Sequence, residues 1–170
     1  MTDISRQPVS QITSGPPWSA IKGAKMSISN FSLHDQNDQV VKFADFKDKK
    51  FFLSFHPLAF TPVCSRQMQD LDNLHDTFMA KGVTPFGVSI DHLYAKKVWA
   101  ESLGLKKLRL LADFWPHGAL AEALGCFIPK GGVSGRSHYL IGGDGEVVWM
   151  KRNEIPEQPD FNQILAEMPA

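Results

Sequence analysis

Residues 51–64 read Phe51-Phe52-Leu53-Ser54-Phe55-His56-Pro57-Leu58-Ala59-Phe60-Thr61-Pro62-Val63-Cys64. An apolar run of this length that stops at a proline loop is typical of a buried strand. Thr61 followed by Pro62 is typical of a helix start, with Thr61 at the N-cap and Pro62 at the first helical position. The stretch therefore predicts a strand, a loop and a helix, with Cys64 in the first turn of that helix.

Downstream of this stretch, helix and strand patterns alternate. Apolar residues at helical spacing extend the first helix to Gly82, and they are Met68, Leu71, Leu74 and Phe78. We expect strands over 83–90 and 108–111, and helices over 93–103 and 116–124. The helix over 93–103 is expected to carry Val98 and Trp99 on one side. This alternation predicts parallel strands connected by helices.

Hairpins are predicted at both ends of the alternating region. Gly142-Gly143-Asp144-Gly145 separates two apolar runs, which is a strong hairpin signal, and residues 161–168 form an amphipathic closing helix. Residues 31–33 and 40–43 predict an additional N-terminal hairpin. The chain is therefore predicted to be an α/β protein with a thioredoxin-like three-layer fold, a central mixed sheet and an N-terminal extension.

Length and composition set broad limits on function. The chain has 170 residues, enough for one domain, and we assign residues 1–22 to a polar, partly disordered arm and residues 23–170 to the domain. Eighteen basic and eighteen acidic residues give a net charge of zero, so no nucleic-acid partner is expected. No apolar stretch approaches the roughly 18 residues of a membrane span, and no signal segment opens the chain, so a cytoplasmic location is expected.

Two cysteines, Cys64 and Cys126, are too few for a disulfide framework or a zinc site. The first turn of a helix favours a thiolate at Cys64, although a buried, inert cysteine is the alternative. Lowering a thiol pKa from ~8.5 to ~6 increases the thiolate population at most about 30-fold, or ~2 kcal/mol of barrier. A fast thiol enzyme therefore also needs donors that polarise its substrate.

The remaining polar residues suggest no second chemistry. Six histidines, at 34, 56, 75, 92, 117 and 138, show no metal-binding spacing, so no metal site is expected. His56 is interpreted as a packing or surface residue, and Asp113 with His117 as a cap of the following helix. The pairs Lys96-Lys97 and Lys106-Lys107 are interpreted as solvated faces.

The segment from Phe55 to Cys64 resembles the P-x-x-x-T-x-x-C active-site loop of peroxiredoxins, the alkyl hydroperoxide reductase/thiol-specific antioxidant family. Pro57, Thr61 and Cys64 occupy its three fixed positions. Arg136, just before the apolar run 137–141, matches the arginine that opens a late core strand in that family. Residues 113–118 are similar to a run in the one-cysteine, AhpE-like branch. The resemblance covers about residues 23–168 and implies a thioredoxin-fold peroxiredoxin domain.

The resemblance implies a role for each matched residue. Cys64 would attack the peroxide O–O bond and become a sulfenic acid. Arg136 would stabilise the thiolate and hydrogen-bond a peroxide oxygen, Thr61 would orient the peroxide, and Pro57 would shield the site from water. The backbone N–H groups of Val63 and Cys64 would be further donors. Two positions depart from the family pattern: Gln67 stands where many members have Glu, and Gly142 where Asp is usual.

Cys126 decides how the sulfenic acid would be recycled. It matches no familiar resolving position, so it is either a small core residue or an unusual resolving thiol. We expect a one-cysteine mechanism in which an external thiol or a redoxin reduces the sulfenate, without metal, heme or flavin. The resemblance also implies a homodimer through Phe46, Phe60, Phe114 and Trp115.

The sequence offers two alternatives to a thiol peroxidase. A thiol–disulfide oxidoreductase is disfavoured because the chain has no C-x-x-C motif. A redox-inert thioredoxin-fold binding or chaperone-like module is the non-enzymatic alternative. The joint presence of Pro57, Thr61, Cys64 and Arg136 argues against it.

Overall fold

The structure is a computed structural model that describes residues 27–170; the predicted arm over residues 1–22 lies outside them. One sheet has seven strands, which are β1 (Ser32–Asp35), β2 (Val40–Lys42), β3 (Lys50–Phe55), β4 (Val83–Ser89), β5 (Arg109–Ala112), β8 (Ser137–Ile141) and β9 (Val147–Arg152). Their order in the sheet is β2-β1-β5-β4-β3-β8-β9. The short strands β6 (Phe127–Ile128) and β7 (Val133–Ser134) form a separate ribbon.

Strand direction makes this a mixed sheet. Strands β3, β4 and β5 run parallel, whereas β1 and β2 at one end and β8 and β9 at the other pair antiparallel. The helices are α1 (Pro62–Asn73), α2 (His75–Ala80), α3 (Leu93–Leu103), α4 (Ala119–Ala123) and α5 (Phe161–Glu167). A short 3₁₀ helix, Phe43–Phe46, follows β2. None of the helices in the described part has the length and apolarity that a bilayer crossing requires.

The core lies on both faces of the sheet, because successive side chains of a strand point to opposite sides. On β3, Phe51, Leu53 and Phe55 join the cluster that includes α4, while Phe52 joins the cluster that includes α1, α2, α3 and α5. Helices therefore cover both faces. The predicted thioredoxin-like three-layer fold with a central mixed sheet is confirmed.

Three predicted helix features differ in the structure. The helix expected to reach Gly82 is interrupted at Leu74, where ψ is 5°, so α1 and α2 are separate. The helix expected over 116–124 spans only Ala119–Ala123. Val98 is 59% exposed, while Trp99 is buried, because adjacent helical residues are about 100° apart around the axis. The buried face of α3 instead carries Lys96, Trp99 and Ala100.

Candidate active site

Residues 56–61 connect β3 to α1, and hydrogen bonds from neighbouring elements fix this loop. His56 N donates to Val88 O (3.0 Å), and Ala59 N donates to Asp91 Oδ2 (2.9 Å). Phe60 has a positive φ of 66°, which turns the chain into the helix. The loop is thus tied to the carboxyl end of β4, where open α/β sheets place their ligands.

The start of α1 presents Cys64 in its third position. Thr61 occupies the N-cap and Pro62 the first turn, as the sequence predicts. The Thr61 side chain, however, makes no capping hydrogen bond; its Oγ1 donates to Leu58 O at 2.8 Å. Cys64 is 1% exposed, and Pro57, in the loop before α1, is also buried. The N–H groups of the first turn lack intrahelical acceptors, so they remain available to a bound anion or oxygen atom.

Arg136 lies immediately before β8 and brings a fixed positive charge to Cys64. Its Nη1 atom is 3.5 Å from Cys64 Sγ and also donates to Gln67 Oε1. Its Nε and Nη2 atoms both donate to Ile155 O, at 3.0 and 2.7 Å. Arg136 as a whole is 3% exposed. Because both ends of the fork are occupied, Arg136 is held in one orientation toward the sulfur.

Gln67 links this arginine to the sheet. It lies one helical turn after Cys64, and its Nε2 donates to Ser54 Oγ (2.8 Å) and Phe55 O (3.1 Å). Ser54 Oγ is in turn 3.0 Å from His138 Nδ1. The amide oxygen therefore has to face Arg136, because both amide N–H groups are used elsewhere.

In the described part of the chain, the Cys64 thiol thus lies at the start of a helix, next to a buried arginine. The model of the AhpC/TSA family matches residues 25–150. The chain belongs to the AhpC/TSA family. As a member of this family it is a peroxiredoxin-type oxidoreductase, a thiol peroxidase, and the redox-inert alternative is not favoured.

Individual relatives agree with this assignment. This peroxiredoxin is 31% identical over 145 residues to the alkyl hydroperoxide reductase E of Mycobacterium tuberculosis, covering 83% of this chain and 94% of that protein. The crystal structure of reduced 2-Cys peroxiredoxin from Plasmodium vivax is similar with a TM-score of 0.72 and 25% identity, over 79% of this chain and 74% of that one. A PrxQ mutant from Xylella fastidiosa, at 21% identity, shares the fold with a TM-score of 0.73 over 85% and 91%.

Cys126 packs on the other side of the sheet from Cys64, although its carbonyl accepts from Gly135 N (2.7 Å), next to Arg136. Cys126 belongs to the core cluster on one face of the sheet, and Cys64 to the cluster on the other face. Both cysteines are free thiols. Burial raises the pKa of Cys126 to about 12, so this thiol is protonated at neutral pH. The two thiols are therefore unpaired and lie in different core clusters.

Two histidines near the site are buried and neutral. Burial lowers the pKa of His138 to about 3, and it lowers the pKa of His56 well below its usual value, with Lys96 and Arg136 contributing. His56 packs against Trp99, with ring centroids 5.0 Å apart, which agrees with a packing role. Neither imidazole can add a positive charge beside Cys64 at neutral pH.

The sequence interpretation is wrong for Lys96. The pair Lys96-Lys97 is predicted to lie on a solvated face, yet Lys96 is 0% exposed, and only Lys97 is exposed. Helical spacing explains the difference, since Lys96 lies three and four residues before the buried Trp99 and Ala100. That spacing is the signal that could have revealed it.

The predicted cap formed by Asp113 and His117 is found in part. Asp113 caps α4, because its two carboxylate oxygens accept from Leu120 N (3.0 Å) and Ala121 N (2.9 Å). His117 does not contribute, since its Nε2 lies 2.7 Å from Gly132 O. Within residues 27–170, no group of three or more His, Cys, Asp or Glu side chains is placed to hold a metal ion.

Proposed function

We propose that Cys64 is the peroxidatic nucleophile, and that this protein uses it to reduce hydrogen peroxide or organic hydroperoxides. The observation that carries the proposal is the 3.5 Å contact between Cys64 Sγ and Arg136 Nη1 at the start of α1. A fixed guanidinium and free helix N–H groups stabilise the thiolate and the charge that develops on the peroxide.

In the proposed reaction the thiolate attacks one peroxide oxygen and the O–O bond breaks. Cys64 becomes a sulfenic acid, and the leaving oxygen takes a proton from solvent to give water or an alcohol. Arg136 and the N–H groups of Val63 and Cys64 donate to the peroxide oxygens. Thr61 Oγ1, which donates to Leu58 O, keeps its lone pairs free to accept from the peroxide O–H. The pyrrolidine ring of Pro57 keeps water from the sulfur.

We propose that an external thiol or a partner redoxin completes the cycle. A first thiol attacks the sulfenic acid and releases water, and a second thiol releases Cys64 and leaves as a disulfide. The placement of Cys126 on the opposite face of the sheet, with a raised pKa, supports this one-cysteine mechanism over a resolving role for Cys126.

A homodimer in the cytoplasm is the proposed working form. Phe60, Phe114 and Trp115 are 60%, 44% and 80% exposed and give an apolar surface near the site. Phe46 does not belong to this surface, because it packs against Phe51 and Phe86 in the core. Two unpaired thiols suit a reducing compartment.

The Cys64→Ser variant tests the assignment, with Cys126→Ala as its matched control. We expect Cys64→Ser to abolish rapid peroxide consumption in stopped-flow assays, and Cys126→Ala to keep it. After one equivalent of peroxide, the intact wild-type chain should gain the mass of one oxygen atom. Undiminished consumption by Cys64→Ser would overturn the nucleophile. A Cys64–Cys126 disulfide would overturn only the one-cysteine mechanism.

A further inference from the structure

Lys96 lies in the interior of the domain without a polar partner. It is fully buried on the face of α3 that also carries Trp99 and Ala100. Among the described residues, Lys96 Nζ has no hydrogen-bond partner and no carboxylate within ion-pair distance. A buried ammonium without a partner lowers the stability of the folded state, and we therefore expect its surroundings to hold a functional reason for Lys96.

The elements packed around this ammonium place several charged and titratable groups near it. Asp91 and Asp113 follow the carboxyl ends of β4 and β5, and Cys64 follows β3. Burial lowers the pKa of Lys96 to about 8, and the negative charges of these three groups act in the opposite direction and limit the decrease. Lys96 therefore stays mostly protonated at neutral pH.

The two carboxylates are already engaged by other donors. Asp91 Oδ2 accepts from Ala59 N and from Ser89 Oγ at 2.6 Å. Both Asp113 oxygens accept from the first turn of α4, as described above. The Cys64 sulfur, in contrast, has a single side-chain donor within the described residues, Arg136 Nη1.

His56 completes the surroundings of the ammonium. Both of its ring nitrogens lack hydrogen-bond partners among residues 27–170, and its low pKa keeps the ring neutral. Two buried cations lie on the elements around Cys64. Arg136 is in contact with the sulfur, and Lys96 lies on the buried face of α3, where Trp99 Nε1 donates to Ser65 Oγ (3.3 Å), the residue after Cys64. Inside a protein the attraction between such charges is several times stronger than in water, so direct contact is not required.

We propose that Lys96 is a positioning residue for the peroxidase reaction, a second buried cation that stabilises the Cys64 thiolate through space. The inference rests on the proposed role of Cys64. The unpartnered burial of the ammonium is then explained, because the thiolate offsets its charge. Oxidation to the neutral sulfenic acid removes this compensation.

The test compares Lys96→Met, which keeps the length of the side chain and removes its charge, with Lys97→Met on the exposed neighbouring position. The ultraviolet absorbance of the thiolate is titrated from about pH 4 to 9. Cys126, with a pKa of about 12, contributes no signal in this range. We expect the Cys64 midpoint to rise by about one pH unit in Lys96→Met and to stay unchanged in Lys97→Met.

Reaction rates give the second readout. Lys96→Met should react with peroxide about 3- to 10-fold more slowly near pH 7, and the deficit should shrink at higher pH as the thiol ionises. Lys96→Arg should retain the wild-type midpoint.

An unchanged midpoint in folded Lys96→Met would overturn the inference, and Lys96→Gln is a second uncharged variant should Lys96→Met fail to fold. The titration needs no peroxide, so it is independent of the proposed reaction. A wild-type protein that fails to consume peroxide would refute the function, whatever the midpoints are.

Discussion

Gln67 Oε1 accepts a hydrogen bond from the same Arg136 nitrogen that lies 3.5 Å from Cys64 Sγ. The Gln67 amide is anchored to β3 through Ser54 and Phe55, so the sheet determines where the guanidinium points. A neutral amide at this position orients Arg136 without neutralising it. The full positive charge of the guanidinium remains available to the Cys64 thiolate.

Gln67→Met tests this orientation. The substitution keeps the length of the side chain and removes both halves of the amide. We expect the second-order rate of Cys64 oxidation by peroxide to fall about tenfold, because Arg136 keeps only its Ile155 contacts. The free energy of unfolding should fall by about 1–3 kcal/mol, because Phe55 O loses its donor inside the core.

Arg136→Met is the reference for that experiment. Removal of the guanidinium itself should lower the same rate by about 100-fold or more. Stopped-flow fluorescence or competition with a second peroxide scavenger measures both rates. A Gln67→Met protein with the wild-type rate would show that Arg136 is positioned by Ile155 alone.

Sequence alone located Cys64 because its signals are local: an apolar strand, a proline loop and a helix start within a few residues. The contacts of Gln67 with the sheet depend on long-range register instead. Ser54 pairs with His138 across the antiparallel β3–β8 ladder, and no pattern within either strand fixes which residues meet. Lys96 is an intermediate case, because helical spacing relative to Trp99 contained the information, but a charged pair is usually solvated.

His138 makes the stability of the protein sensitive to acid. Burial lowers its pKa to about 3 in the folded state, whereas the unfolded chain has the ordinary value near 6.5. The unfolded state therefore binds more protons between these values, so stability is complete above about pH 6.5 and is lost as pH falls toward 3. The loss has an upper bound of about 5 kcal/mol, and the buried His56 acts in the same direction.

His138→Phe should flatten this acid dependence while keeping the stacking with Phe52. Urea unfolding followed by circular dichroism at several pH values between about 4 and 7 measures it. Near pH 7 the free energy of unfolding of the variant should be about 1 kcal/mol lower than that of the wild type, because the hydrogen bond to Ser54 is missing. As the pH falls, this difference should shrink and then reverse. His34→Phe, which replaces a half-exposed imidazole, is the matched control. Parallel curves for wild type and His138→Phe would contradict the assignment.

Trp115 tests the proposed dimer, because it is 80% exposed beside the half-exposed Phe114. An exposed tryptophan in an apolar surface is a typical interface hot spot, which contributes 2 kcal/mol or more, roughly 30-fold in the dissociation constant. We expect the wild-type protein to sediment as a dimer in analytical ultracentrifugation and Trp115→Glu to sediment as a monomer at the same concentration. Met79→Glu, at an exposed apolar position on α2 outside this surface, should stay dimeric. A monomeric wild type, or a Trp115→Glu variant as dimeric as Met79→Glu, would remove this surface as the interface. Peroxide consumption by the same variants would then show whether the monomer is active, since Cys64, Arg136 and Gln67 all come from one chain.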